Sequence, residues 1–177
     1  MSHPFVRLMD HLYHACIWVA GLSILAMSLI IPWGVFSRYV LGTGSHWPEP
    51  ISIMLMVVFT FVGAAASYRA GGHIAVAMLT ERLPATLQGL CAKLVDLLMA
   101  AISIFVAWYG MDLVLATMGQ TVAELPSMPV GYTYLALPVG SMITLLFVIE
   151  RIVFGSQHMR PIVRFDEHHE EHAEGGA

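Results

Sequence analysis

"ACIWVAGLSILAMSLIIPWGVF", residues 15–36, carries no charged side chain from end to end. A secretory signal has an apolar core of only about 7–15 residues and a small-residue cleavage site, and this run is longer and lacks an Ala-x-Ala exit. About 20 apolar residues cross a bilayer as a helix. Lipid offers no partner for a free backbone N–H or C=O, so the run must be helical. It therefore predicts a retained spanning helix, and the fold class follows from it.

The rest of the chain repeats that composition. Of 177 residues, 58% are hydrophobic and 11% charged, with a mean hydropathy of +0.74; a soluble domain carries about 25% charge. Four stretches are long and apolar enough to span: about 14–37, 48–69, 94–118 and 131–153. Pro48 and Pro50 fall in the first turn of the second, where a missing N–H costs little, and Gly42 and Gly44 lie in the connection before it. Pro126 and Pro129 precede the fourth, and Pro138 with Gly140 predicts a kink inside it.

Basic residues mark the cytoplasmic side of a membrane protein. Arg7, Arg69, Arg82, Lys93, Arg151, Arg160 and Arg164 fall at the two termini or between spans two and three, whereas Arg38 alone lies in the other two connections. The sequence thus predicts an all-α integral membrane protein with four transmembrane helices and both termini cytoplasmic. Residues 73–83 are too short to span; with Ile74, Met78 and Leu79 on one face they predict a short interfacial helix. The mixed stretch 5–13 is expected to lie on the membrane before the chain turns in. Residues 1–155 form the membrane domain, and 156–177 a polar tail rich in acids and histidines.

Ionisable groups inside spans are costly and become functional candidates by default. Asp96 is expected to pair with Lys93, three residues earlier on its helix. Glu150 and Arg151 are expected to snorkel to the interface. Asp112 either meets a partner or a crevice, or is an interfacial carboxylate. Glu124 lies in a loop and needs no special role. Glu49 enters the second span in its first turn, where the helix dipole favours a negative charge, and a bridge to Arg38 would tie the first hairpin together. The segment "SYRAGGHIAV", 67–76, reads as a helix stop: Arg69 reaches the headgroups, Gly71 or Gly72 takes the left-handed conformation that ends a helix, and His73 starts the interfacial segment.

The nine histidines fall near the amino end, in connections or in the tail, and none at mid-membrane where a haem ligand would sit. Cys16 and Cys91 have no metal-type spacing and read as small hydrophobes. No basic stripe points to nucleic acid. Nucleotide loops, nucleophile–base pairs and a row of polar residues along one span are all missing. These features describe a membrane subunit that supports a partner; no cofactor and no catalytic residue are expected.

Several motifs carry a resemblance. Arg38-Tyr39, Trp47-Pro48-Glu49, Phe61-Val62-Gly63-Ala64-Ala65, Arg69-Ala70-Gly71-Gly72-His73-Ile74 and Tyr134 to Gly140 together resemble the small membrane subunit, DctQ type, of tripartite ATP-independent periplasmic (TRAP) transporters. The resemblance covers roughly residues 15–155. Pro50 departs from it, standing where the family's Trp-x-Glu-Glu has its second acid. Membership would imply a three-protein system in the bacterial inner membrane. A periplasmic binding protein captures an organic acid, and a large membrane subunit carries the substrate and sodium sites and moves as an elevator. The small subunit packs on the large one's static frame. On this reading Arg38, Trp47, Glu49, Gly63, Arg69, Gly71, Gly72, His73, Pro138 and Gly140 are the interface or structural candidates. Gly63 to Ala66, with Gly21 and Ala26, supply small residues for close helix packing. The alternative is a membrane anchor or assembly subunit of another complex, such as an oxidoreductase.

Overall fold

The computed structural model describes residues 4–44, 46–71 and 85–155. Its elements are α1 (Pro4–Tyr39), α2 (Pro48–Arg69), α3 (Ala85–Thr117), a hairpin of β1 (Thr121–Val122) and β2 (Leu125–Pro129), α4 (Gly131–Tyr134) and α5 (Ala136–Phe154). Four helical stretches are long and apolar enough to cross a membrane, the last made of α4 and α5 together. The interfacial helix expected at 73–83 and the tail at 156–177 lie outside the described residues.

Two helices are longer than their apolar cores. The stretch 5–13 does not turn along a membrane surface but continues straight into the first span, making α1 36 residues long. No glycine or proline interrupts residues 5–20, and Met9 and Tyr13 bury their side chains in the common core, so helix propagation meets no obstacle. Likewise α3 starts at Ala85 rather than near 94 and runs for 33 residues. A lone glycine at 89 costs about 1 kcal/mol, too little to end it.

The fourth span does contain the expected interruption, three residues earlier than Pro138. Proline has no N–H to give the carbonyl of Tyr134, four residues back. At Leu135 the backbone stays right-handed, and its N–H bonds to the Tyr132 carbonyl, three residues back, at 3.3 Å. The short hairpin before this span, Thr121 opposite Pro129 and Val122 opposite Leu125, is an element the helical reading did not anticipate.

The long helices do not close into a bundle. They stand in an open row in the order α1, α2, α5, α3, with α1 and α3 at opposite edges. In α3 only 6% of the apolar window is buried, against 39% in the fourth span. The row is built on close approaches between helices. A Cβ on Gly140 would stand 2.6 Å from Cβ of Phe61, so α2 and α5 touch there only because residue 140 has no side chain. A Cβ on Gly110 would sit 3.2 Å from the Pro138 ring, where α3 meets α5. The core itself gathers Met9, Tyr13, Cys16, Val62, Ala65, Tyr68, Phe147 and Val148. It lies towards the end of the row where α1 begins and α2 and α5 finish, called the near end below.

Candidate functional site: a polar clamp across four helices

α2 is about 32 Å long at 1.5 Å per residue, close to one hydrocarbon thickness. Arg69, its last residue, therefore falls at a membrane boundary, and the expectation was a side chain reaching for headgroups. The structure turns it inward. The Arg69 side chain is 2% exposed. Its Nε donates to Oε2 of Glu150 at 2.7 Å, and its Nη2 donates to Oε1 of Glu150 at 2.7 Å and to Oδ1 of Asp10 at 2.6 Å. The guanidinium carbon lies 5.4 Å from the Tyr13 ring centre and 5.3 Å from that of Phe147. Nη1 is buried and has no hydrogen-bond partner among the described residues.

A second cluster continues the first through sequence neighbours. Tyr68 donates its hydroxyl to Oδ1 of Asp96 at 2.9 Å, and Nε of Arg151 lies 3.1 Å from the same oxygen. The Arg151 guanidinium also covers the Tyr68 ring at 5.6 Å. Successive residues on a helix point about 100° apart. Tyr68 and Arg69 thus address α3 on one side and α1 on the other, and Glu150 and Arg151 divide in the same way. Four helices are tied by six side chains.

The arrangement follows from the cost of burying charge. An isolated ion in a low-dielectric interior is prohibitive, and a buried pair is tolerable only with good geometry and its remaining lone pairs satisfied. The fork of an arginine meets a carboxylate through two parallel bonds, which is how Arg69 grips Glu150. Glu150 is 1% exposed, so neither partner snorkels. Asp96 is engaged by Tyr68 and Arg151, and the expected partner Lys93 is exposed. Asp10 was overlooked altogether. The signal that would have found it is topological: an acid early in span one, a base ending span two and an acid ending span four all fall at one end of an up-down row.

The other candidates divide by position. At the far end Arg38 and Glu49 stand 3.9 Å apart, with side chains 51% and 69% exposed, so the expected bridge is present in its weakest form. Trp47 is 39% exposed beside them. The turn there is held by Ser37 and Thr43, whose hydroxyls are 2.8 Å apart. A Cβ on Gly63 would stand 3.8 Å from the Ala20 methyl on α1, while Ala65 and Ala66 are buried in the core. Much of the small-residue patch thus packs within this chain; Ala64 and Gly21 remain exposed. Gly71 takes φ +75° just past α2 and ends it; Gly72 and His73 lie outside the described residues. Pro138 and Gly140 are both buried at helix crossings. Between α1, α2 and α5 a groove of about 610 Å³ is lined by Cys16, Val19, Val58, Val62, Ala136 and Ile143 among others. Among the described residues no three His, Cys, Asp or Glu side chains are grouped to hold a metal ion.

Four long apolar helices, mostly exposed, and a groove lined almost wholly by apolar side chains define a class: a multi-pass membrane protein. The comparison with known proteins is more specific. The family "Tripartite ATP-independent periplasmic transporters, DctQ component" matches residues 27–157, about three quarters of the chain. The chain belongs to this family, and is therefore a TRAP transporter small subunit. It is also 25% identical over 152 residues to a protein of Haemophilus influenzae named as a candidate TRAP transporter small permease, covering 84% of this chain and 92% of the relative.

Proposed function

We propose that this chain is the static frame of a sodium-driven TRAP transporter. It sits in the bacterial inner membrane with its near end and both termini towards the cytoplasm, as the distribution of basic residues favours. A large elevator-type membrane subunit packs on the row and carries the sodium and substrate sites. An organic acid reaches that subunit from a periplasmic binding protein.

The observation that carries the reading is the open row clamped at one end. A moving subunit needs a neighbour that does not move, and the buried Asp10–Arg69–Glu150 and half-buried Asp96–Arg151 contacts resist sliding between helices. The exposed faces of α1 and α3 offer area for helix packing, which in lipid relies on shape and small residues. On the far end Arg38, Trp47 and Glu49 are left accessible for a partner.

The test uses the neighbouring genes. Co-expression with the adjacent large membrane protein and secreted binding protein is expected to give a stable pair of membrane subunits on purification. Deleting this chain is expected to abolish uptake of the acid bound by that binding protein. Uptake that survives the deletion would overturn the frame reading; co-purification with an oxidoreductase instead would point to an anchor.

A further inference from the structure

One line along α1 is exposed among the described residues. Arg7, His11, His14 and Trp18 follow one another at steps of four, three and four residues, which places them along a single face. All four are exposed, Trp18 at 69%. The same line continues through Leu22, Leu25 and Leu29, each more than half exposed. Its composition therefore changes in order along the helix, from a cation through two imidazoles and an indole to three aliphatic side chains. Arg7 and His11 flank Asp10, so the polar part of the line lies at the level of the clamp, and Leu22, about 18 Å further along the helix, lies near mid-membrane.

The imidazoles are set for an external ligand. Nδ1–H of His11 donates to the carbonyl of Arg7 at 2.7 Å, and Nδ1–H of His14 donates to that of Asp10 at 2.8 Å. A carbonyl can only accept, so the proton on each ring is assigned to Nδ1 and Nε2 is left for another partner. Protonated, Nε2 donates to a phosphate oxygen; neutral, it accepts from a headgroup hydroxyl. Arg7 makes no ion pair among the described residues.

We propose that this line is a binding site for one anionic phospholipid, lying along α1. Its phosphate meets Arg7, His11 and His14. The indole of Trp18 sits at the boundary where such rings concentrate, and the acyl chains run from there towards Leu22, near the middle of the bilayer. Charge selects the headgroup, because basic side chains at a membrane surface favour anionic lipid.

The test places the full-length chain in nanodiscs of phosphatidylcholine containing a minor fraction of phosphatidylglycerol, followed by detergent extraction and mass spectrometry of the lipid that stays bound. Retained phosphatidylglycerol is expected at about five times its bulk proportion, the factor corresponding to roughly 1 kcal/mol for a basic group at the surface. Joint Arg7→Gln, His11→Gln and His14→Gln replacement is expected to return it to the bulk proportion, while Arg38→Gln at the far end leaves it enriched. If the triple variant fails to fold, the three single variants replace it, each expected to lower the enrichment. A bulk proportion in the unaltered protein, or enrichment that the substitutions on α1 do not change, would overturn the proposal.

Discussion

The two ends of the row are held by different physics. At the near end six polar side chains, four buried and two half-buried, meet through contacts of 2.6 to 3.1 Å. At the far end the only ion pair among the described residues spans 3.9 Å in the open, and α1 and α2 meet through shape: a Cβ on Gly34 would stand 2.9 Å from Cβ of Pro48. The difference shows where burial turns a charge pair into a structural element. The same two residue types, arginine and glutamate, form a determinant contact at one end and a marginal one at the other.

Arginine 69 provides the hardest test of that contrast. Arg69→Met leaves Asp10 and Glu150 buried without their cation, so a loss of about 3–5 kcal/mol is expected. Thermal aggregation in mild detergent would report it. Replacing Asp10, Arg69 and Glu150 together with apolar residues of similar size is expected to recover most of the loss, because no stranded charge remains. If Arg69→Met proved as mild as a change at Arg38, the two ends would not differ as described.

A smaller effect is expected where the packing is steric. Gly140→Leu must push Phe61 away, since even a methyl group would meet it at 2.6 Å. Overpacking of this kind costs about 1–3 kcal/mol, and the same unfolding measurement with Gly140→Ala as the intermediate step would resolve it. The smallest effect belongs to the far-end pair. Arg38→Gln or Glu49→Gln is expected to cost less than about 1 kcal/mol in the isolated chain, and a double-mutant cycle would read the coupling directly. A coupling as large as the near-end loss would erase the distinction.

Hydropathy and punctuation carried the spans well. The apolar run at 15–36 and the prolines at 48 and 50 located α1 and the start of α2, and Gly71 ended α2 as its left-handed backbone predicts. The open row was not legible, for a physical reason. In water an apolar face marks the core, but in lipid the core and the outer surface are both apolar, so Trp108 at 70% exposure and Phe147 at 1% look alike in sequence. The clamp was hidden by distance along the chain: Arg69 lies 59 residues from Asp10 and 81 from Glu150. Reading local neighbours paired Asp96 with Lys93 on its own helix, when its partners stand on α2 and α5.

The clamp also has an order in time. A chain emerges from the ribosome amino end first, so α1, α2 and α3 are made before α5. Until Glu150 and Arg151 arrive, Arg69 has Asp10 as its one carboxylate in the clamp, beside the Tyr13 ring, and Asp96 has the Tyr68 hydroxyl. The last span to be synthesised supplies the counter-charges for both clusters at once. An unfinished or truncated chain thus carries exposed, half-paired charge at the membrane edge, and a finished one does not. Completion of synthesis is written into the electrostatics of two adjacent residues.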